Sequence, residues 1–226
     1  MKYSFILPYY DRAPQLKETL TSFYYLYGNR KDWEVVIIED YKNKQNLKLH
    51  NELFNVISNF DINIKLINGP TEISYSPVKL YNLGVKYAQG KFIIISNPEC
   101  SHVTNILQGF DEELEFNENA YVICACKAIK RNKFHMWYQH TKYRDKKYHF
   151  CTCLSKTNYE SVGGFDERFS EGYCFDDDAF IARIQSNPNI EIITRDDLLV
   201  VHQEHKKIIP DKKLWSRNQK IYKDNY

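Results

Sequence analysis

Long apolar runs are missing from this chain. Runs such as Val35 to Ile38 and Phe92 to Ile95 fall far short of the roughly 20 residues a membrane span needs, which excludes a transmembrane helix. The opening MKYSFILPYYDR has no full signal h-region and no small-residue cleavage site, so it reads as the first core strand of a cytosolic protein. Cys-x-x-Cys is missing too. The six cysteines include two Cys-x-Cys pairs, neither of them a ready zinc clamp; buried reduced thiols are expected. Charge of one sign is scarce: 31 basic against 29 acidic residues leaves a net +2, too little for nucleic acid to be the principal partner. Internal repeats and low-complexity linkers are absent. What remains is 226 residues, 43% of them hydrophobic, enough for one sizeable core.

The first hundred residues alternate two periods. YSFILPY, WEVVIIED, INIKLING and KFIIIS are near-continuously apolar, as strands covered on both faces should be. Between them lie helical patterns: Ala13 to Tyr27, with Leu16, Leu20, Phe23 and Tyr27 in register; Asn46 to Phe60; and a helix capped by Ser76 with Pro77 at its first position, closing at Gly90. This alternation predicts an α/β fold with a doubly wound, mostly parallel sheet. Ligands bind such sheets beyond the carboxyl ends of the strands. Three ends are therefore of interest: Pro8-Tyr9-Tyr10-Asp11, Glu39-Asp40 and Asn97-Pro98-Glu99.

The second half is less regular. A helix near Asn105 to Leu114 precedes a strand YVICAC, and Lys127 to His149 is too polar and irregular to read as core. Then come the strand HFCTCL, a turn at Gly163-Gly164, a helix from about Asp176, two short strands IEIIT and LLVVH, and a basic tail with Lys206, Lys207, Lys212, Lys213 and Arg217.

Four clusters carry possible chemistry. Glu99 and His102 offer a carboxylate and an imidazole to a hard divalent cation such as Mg²⁺ or Mn²⁺; the plainer reading is a turn after a strand. Asp176, Asp177 and Asp178 begin a helix, where one acid serves as a cap, but three are more than a cap needs, and an ionised carboxylate can act as a general base. Gly163-Gly164-Phe165-Asp166-Glu167 permits close backbone approach or is an ordinary turn. His202 ends an apolar strand and is followed by Gln203, Glu204 and His205; a lone histidine there is commonly structural.

Taken in order, these segments resemble family 2 glycosyltransferases of the nucleotide-sugar-binding GT-A fold. ILPYYDR corresponds to the family's first strand end, VVIIED to its paired acid, YNLGVKYAQGKF to its Asn-x-Gly helix, Asn97-Pro98-Glu99 to Asp-x-Asp, GGFDE to the same five residues, and DDDAFIAR to the Glu-Asp helix ending in arginine. The resemblance runs from Phe5 to about His202. It implies one GT-A domain over 1–226: a nucleotide-sugar half, 1–102, and a catalytic-base and acceptor half, 103–226, with a smaller acceptor-side sheet region. It implies an inverting, metal-dependent transfer of a hexosyl or N-acetylhexosaminyl group, with a UDP-sugar first among donors, to a glycan, lipid-linked or protein hydroxyl.

Residue by residue, the resemblance places Pro8, Tyr9, Arg12, Glu39, Asp40, Asn82 and Asn97 around the nucleotide. Glu99, with His102 and His202, would hold Mn²⁺ or Mg²⁺. Asp177 would be the base, with Asp176 and Asp178 as alternatives one register away. Trp137, Tyr138, Gly164 and Asp166 would meet the acceptor. The departure is Asn97, which removes one negative charge from the metal motif; His102 is the expected compensation. Two other readings compete. Nucleotidyl transfer normally needs a glycine-rich basic loop near the N-terminus, and PYYDRAPQ has no glycine. A binding module without turnover is the other, suggested by Asn97. The basic Lys127 to Lys147 segment makes an anionic surface a candidate peripheral contact, a solvated loop being the alternative.

Overall fold

The computed structural model describes all residues except 73, 132 and 207–210; Lys207 of the basic tail lies outside the described residues. Four strands, β1 (Tyr3–Tyr9), β2 (Trp33–Glu39), β3 (Ile64–Asn68) and β4 (Phe92–Ser96), pair in parallel in the order β3-β2-β1-β4. Helices α1 (Ala13–Tyr27), α2 (Tyr41–Gln45), α3 (Leu47–Ile57) and α4 (Val78–Tyr87) make the crossovers. Strand period 2 sends successive side chains to opposite faces. Phe5 and Leu7 meet Leu16, Leu20 and Phe23 of α1 on one side, while Ile6 meets Val78, Tyr81 and Val85 of α4 on the other.

Beyond β4 the sheet is mixed. β5 (Cys100–His102), α5 (Ile106–Phe116), β6 (Ala120–Lys130), β7 (Lys133–Tyr138), β8 (Cys151–Ser155), α6 (Lys156–Ser161), α7 (Asp176–Ser186), β9 (Glu191–His202) and α8 (Lys212–Asn225) follow. The order continues β4-β8-β6-β9-β5, with β7 hydrogen-bonded to β6. β4 and β5 are separated by three residues yet stand four places apart in the sheet. Four flat strand spacings are roughly 19 Å, whereas the connecting chain reaches roughly 14 Å. The sheet must therefore curl, and the turn at Asn97-Pro98-Glu99 is where the chain crosses the curl.

Several sequence expectations change. The helix expected from Asn46 to Phe60 is α3, shorter by its capping Asn46 and its last turn, and an additional short helix, α2, precedes it. Ser76 is no cap; Pro77 takes that place and the Ser76 hydroxyl turns to Asp176. The strands IEIIT and LLVVH are one strand, β9, paired with β6 through a register shift between Cys124 and Ala125. Lys127 to His149 contributes the end of β6 and all of β7, and Tyr138, His140 and His149 are buried; long polar residues on a hairpin had masked its strand period. Lys212, Lys213 and Arg217 of the basic tail lie in α8, whose Asn218 amide donates to the carbonyls of Phe169 and Cys174. All six cysteines are free and all but Cys174 are buried. Among the described residues, no helix is long and apolar enough to cross a membrane.

Candidate active site

The chain runs outward from β1 to β2 and β3, then returns through α4 to the other side of β1. The carboxyl ends of β1 and β4 therefore flank a topological switch point, the usual place for a ligand crevice in such a sheet. A cleft of about 320 Å³ opens there, lined by Pro8, Tyr9, Arg12, Asp40, Asn97 and Glu99 among others, within the usual size range of small-molecule sites. Asp11, directly after β1, has φ 46°, a left-handed conformation that aspartate tolerates, and its N–H donates to Asn43 Oδ1 at 3.0 Å. Asp40 caps α2 by accepting from the Lys42 N–H at 2.8 Å; burial holds its carboxyl above the usual range despite that bond. Tyr75 and Tyr173 close the cleft with ring centroids 5.4 Å apart. Asn97 accepts from the Tyr81 hydroxyl at 2.7 Å.

Glu99, on the cleft wall, faces His202 at the end of β9 and His205 just beyond it. Its Oε1 lies 3.6 Å from His202 Nε2 and 3.5 Å from His205 Nε2, and one ligand atom from each of the three falls within 4.8 Å of the others. Burial alone would raise the Glu99 carboxyl; His202, His205 and Arg12 outweigh it and hold it below the usual range. One carboxylate and two imidazoles is a donor set that fits a divalent cation. His205 was visible in the sequence without a role; its signal was the three-residue spacing from His202 just beyond a strand end.

The second cluster opens α7. Cys174 and Phe175 have φ 63° and 67°, rare for bulky residues. Phe175 packs against Trp215 and Tyr222 of α8, and Asn218 holds the Cys174 carbonyl, so α8 braces the turn that presents the acids. Ser76, a wall of the cleft, donates to Asp176 Oδ2 at 2.7 Å, and the Tyr148 hydroxyl donates to Asp178 Oδ1 at 2.6 Å. Asp177 keeps 39% of its side chain open, with His149 Nε2 3.1 Å from its Oδ1. Burial and the charge of Asp178 push the Asp177 carboxyl up to about 7. Burial and the charge of Asp177 push Asp176 up to about 6, against the pull of Ser76 and His149. Burial takes His149 down to about 4, leaving a neutral ring. A carboxylate with a proton affinity near neutrality, open on one side, can accept a proton from an incoming hydroxyl. Ser76, Tyr148 and His149 carried no sequence signal, since each reaches its acid from a distant segment.

Six expected site residues lie elsewhere. The His102 ring is buried among Phe5, Phe23 and Tyr27, its Nδ1 2.7 Å from the Tyr27 hydroxyl, and burial lowers it to about 3; three-residue β5 turns it away from Glu99. Glu39 is fully buried behind the cleft, bound by the Asn43 amide at 2.6 Å and His50 Nδ1 at 2.9 Å. Asn82 pins the Gly-Gly-Phe turn instead of a nucleotide, pairing with the N–H and carbonyl of Phe165 and the Tyr159 hydroxyl. Tyr138 is buried against Phe150 and His140. Gly164, at φ 63°, borders a separate depression, and an added Cβ would meet Asn82 Oδ1 at 2.8 Å. Asp166 is held by Arg168 and the Tyr226 hydroxyl. Trp137 is half-buried and sets its edge against His202, centroids 4.9 Å apart.

Comparison with known proteins follows this geometry. A family model described as glycosyl transferase family 2 matches residues 4–167. A search of curated proteins finds no match in sequence. Among solved structures, residues 1–349 of Staphylococcus aureus TarS in complex with UDP-GlcNAc superpose with a TM-score of 0.72 at 17% identity, over 92% of this chain and 60% of that one. The same TarS fragment with UDP gives 0.70 at 17% identity, over 90% and 61%. The Pyrobaculum calidifontis mannosyltransferase PcManGT, in complex with GDP-Man and Mn²⁺, gives 0.63 at 15% identity, over 95% and 59%. The chain thus spans about three fifths of the length of these structures, and the likeness is one of GT-A fold.

Proposed function

The chain belongs to glycosyl transferase family 2, and from that premise we propose that it transfers a hexosyl or N-acetylhexosaminyl group, with inversion, from a nucleoside-diphosphate sugar to an acceptor hydroxyl. The observation that carries this reading is the placement of Asp177. It stands in the first turn of α7, and its neighbour Asp176 is tied to the cleft wall through Ser76. The diphosphate would lie along Arg12, Asn97 and Glu99, and the base and ribose against Pro8, Tyr9 and Asp40. Glu99 and His202 would hold a divalent cation, which when bound neutralises the charge growing on the departing diphosphate. The acceptor oxygen attacks the anomeric carbon as the bond from that carbon to phosphate breaks, and its proton passes to Asp177 Oδ. A single displacement inverts the centre. UDP is the nucleotide we favour, since the TarS structures carry UDP or UDP-GlcNAc. The chemistry fits a glycan, lipid-linked or protein hydroxyl, with residues 103–226 on the acceptor side.

A second reading, sugar-nucleotide binding without turnover, is favoured by Asn97 alone. Thermal unfolding with UDP, GDP, CDP and dTDP, each with and without Mn²⁺, followed by a hydrolysis and transfer assay with the matching sugar nucleotide, separates the two. A ligand at about 100 times its Kd adds about 2.7 kcal/mol, a rise of roughly 5–10 °C for a domain of this size. A shift with turnover supports the transferase; a shift without it supports the binding module; no shift with any nucleotide removes both.

A further inference from the structure

We infer that the hairpin of β6 and β7, together with the loop that follows it, is a docking surface for an anionic lipid bilayer, and that it brings the mouth of the cleft to that surface. Docking stands on the surface alone. Its consequence, a lipid-linked acceptor among the three acceptor classes, rests on the transferase reading.

Positive charge is concentrated here. Residues 127–147 hold eight of the chain's 31 basic residues and one of its 29 acids, Asp145. The remainder of the chain is therefore net negative, so an anionic surface attracts this segment and repels the rest. Lys130, Arg131, Lys133, Lys142, Arg144 and Lys146 are exposed. Among the described residues, the one ion pair in the segment joins Lys147 to Asp145 at 3.5 Å, which leaves those six charges unneutralised. Apolar side chains stand among them. Phe134 is 66% exposed and Met136 38%, and their two-residue spacing on β7 puts both on one face of the strand. Tyr143, also exposed, follows in the loop. Trp137 instead packs against Phe150 and His202.

The mixture of side chains selects the partner. Lysine and arginine meet lipid phosphates at the headgroups, and an aromatic ring between them enters the acyl boundary. A soluble polyanion would satisfy the charges and leave Phe134 in water. A second copy of the chain fits less well. Among the described residues β7 pairs only with β6, but lysine on an open edge strand resists edge-to-edge pairing. Position ties the surface to the cleft. The Arg131 N–H donates to Glu204 Oε2 at 3.0 Å, and the Trp137 ring lies 4.9 Å from that of His202. Directly after the segment, Tyr148 and His149 reach Asp178 and Asp177. The basic segment thus begins beside His202 and leads to the acids proposed to take the acceptor's proton. Docking there sets the acceptor side of the cleft against the bilayer, where a lipid-linked hydroxyl is held.

The test is flotation of the full chain with phosphatidylcholine vesicles, with and without phosphatidylglycerol. The expected result is binding that needs phosphatidylglycerol and weakens as NaCl is raised. Lys130→Gln with Lys133→Gln should lower the vesicle partition coefficient by about tenfold or more. Lys31→Gln with Lys48→Gln removes the same charge from exposed positions outside the segment and should change it by less than about twofold. Phe134→Ser should lower it by about tenfold and leave retention on heparin, a soluble polyanion, unchanged. All three variants should unfold at the parent's temperature. No binding to phosphatidylglycerol vesicles, an equal loss in the Lys31 and Lys48 pair, or parental vesicle binding by Phe134→Ser would each overturn the inference, the last result assigning the surface to a soluble polyanion. Transfer to a soluble acceptor is assayed without vesicles. Transfer without vesicle binding defeats this inference alone, and vesicle binding without transfer defeats the transferase reading alone.

Discussion

Two carboxylate–histidine pairs face the same region of this molecule and are driven in opposite directions. Glu99, with His202 and His205, is held below the usual carboxylate range; Asp177, with His149 beside it, is pushed up to about 7. Burial pushes both upward, so burial is not the difference. Glu99 has Arg12 and two imidazoles around it, whereas Asp177 has Asp178 as its next neighbour and only a neutral ring at its side. An acid among cationic or metal-binding groups stays an anion, and an acid among acids stores a proton. The first pair suits a cation and the second a proton, although the residue types are nearly the same.

The largest effect should come from removing the proton acceptor. Asp177→Asn is expected to cut turnover by about 10² or more, the usual scale for a lost general base, while nucleotide binding measured by calorimetry stays within about twofold of the parent. Retained turnover would dissolve the contrast between the clusters. The same residue gives a pH signature. A base must be unprotonated, so kcat/KM should climb with pH through about 7. Asp178→Asn removes the neighbouring charge and should move that limb to lower pH. Stability runs the other way: folded Asp176 and Asp177 hold protons that the unfolded chain releases near pH 4. Their contribution is present below about pH 4 and lost as pH rises through about 6 to 7. Asp177→Asn should therefore melt higher than the parent at pH 8, and the gap should close at pH 4.

Glu99→Gln should act next most strongly, and on a different quantity. With the carboxylate gone, two imidazoles remain, and Mn²⁺-dependent nucleotide affinity should fall by about 10- to 100-fold; the thermal shift given by UDP with Mn²⁺ should shrink to that of UDP alone. Because the side chain is almost enclosed, the neutral amide is itself expected to be tolerated. An unchanged Mn²⁺ requirement would place the cation elsewhere.

The strands and helices that build the cleft were readable because each covers a full hydrophobic period, as with Phe5, Ile6 and Leu7 alternating between two helical layers. The resemblance to the family likewise placed Asp40, Asn97 and Glu99, which line the cleft. Three kinds of information were missing. Direction was one: Glu39 and Asp40 are adjacent, but Glu39 ends the buried strand β2 while Asp40, just past it, lines the cleft. Partnership was another: nothing local says that Ser76 turns to Asp176 or Tyr148 to Asp178, contacts made across 100 and 30 residues. The third was competition for the same donor. Asn82 was assigned to a ligand by its motif, yet every polar atom of its amide is engaged by Phe165, Tyr159 or Glu167.

His102 sharpens the comparison by being the histidine that sequence distance favours and structure rejects. It stands three residues from Glu99, whereas His202 and His205 stand about a hundred away. Strand β5 reverses its direction, however, and its ring fills a space between Phe5 and Phe23 with Nδ1 against the Tyr27 hydroxyl. His102→Asn keeps a polar atom near Nδ1 but removes ring packing. The expected cost is about 1–2 kcal/mol, or roughly 2–8 °C in Tm for a chain of this size, with Mn²⁺ and nucleotide affinities unchanged. The same substitution at His202 should give the reverse: little change in Tm without metal, and a loss of Mn²⁺ binding. If His102→Asn weakened Mn²⁺ as much as His202→Asn, the division between a core histidine and a cleft histidine would fail, and β5 would have to turn its other face to Glu99.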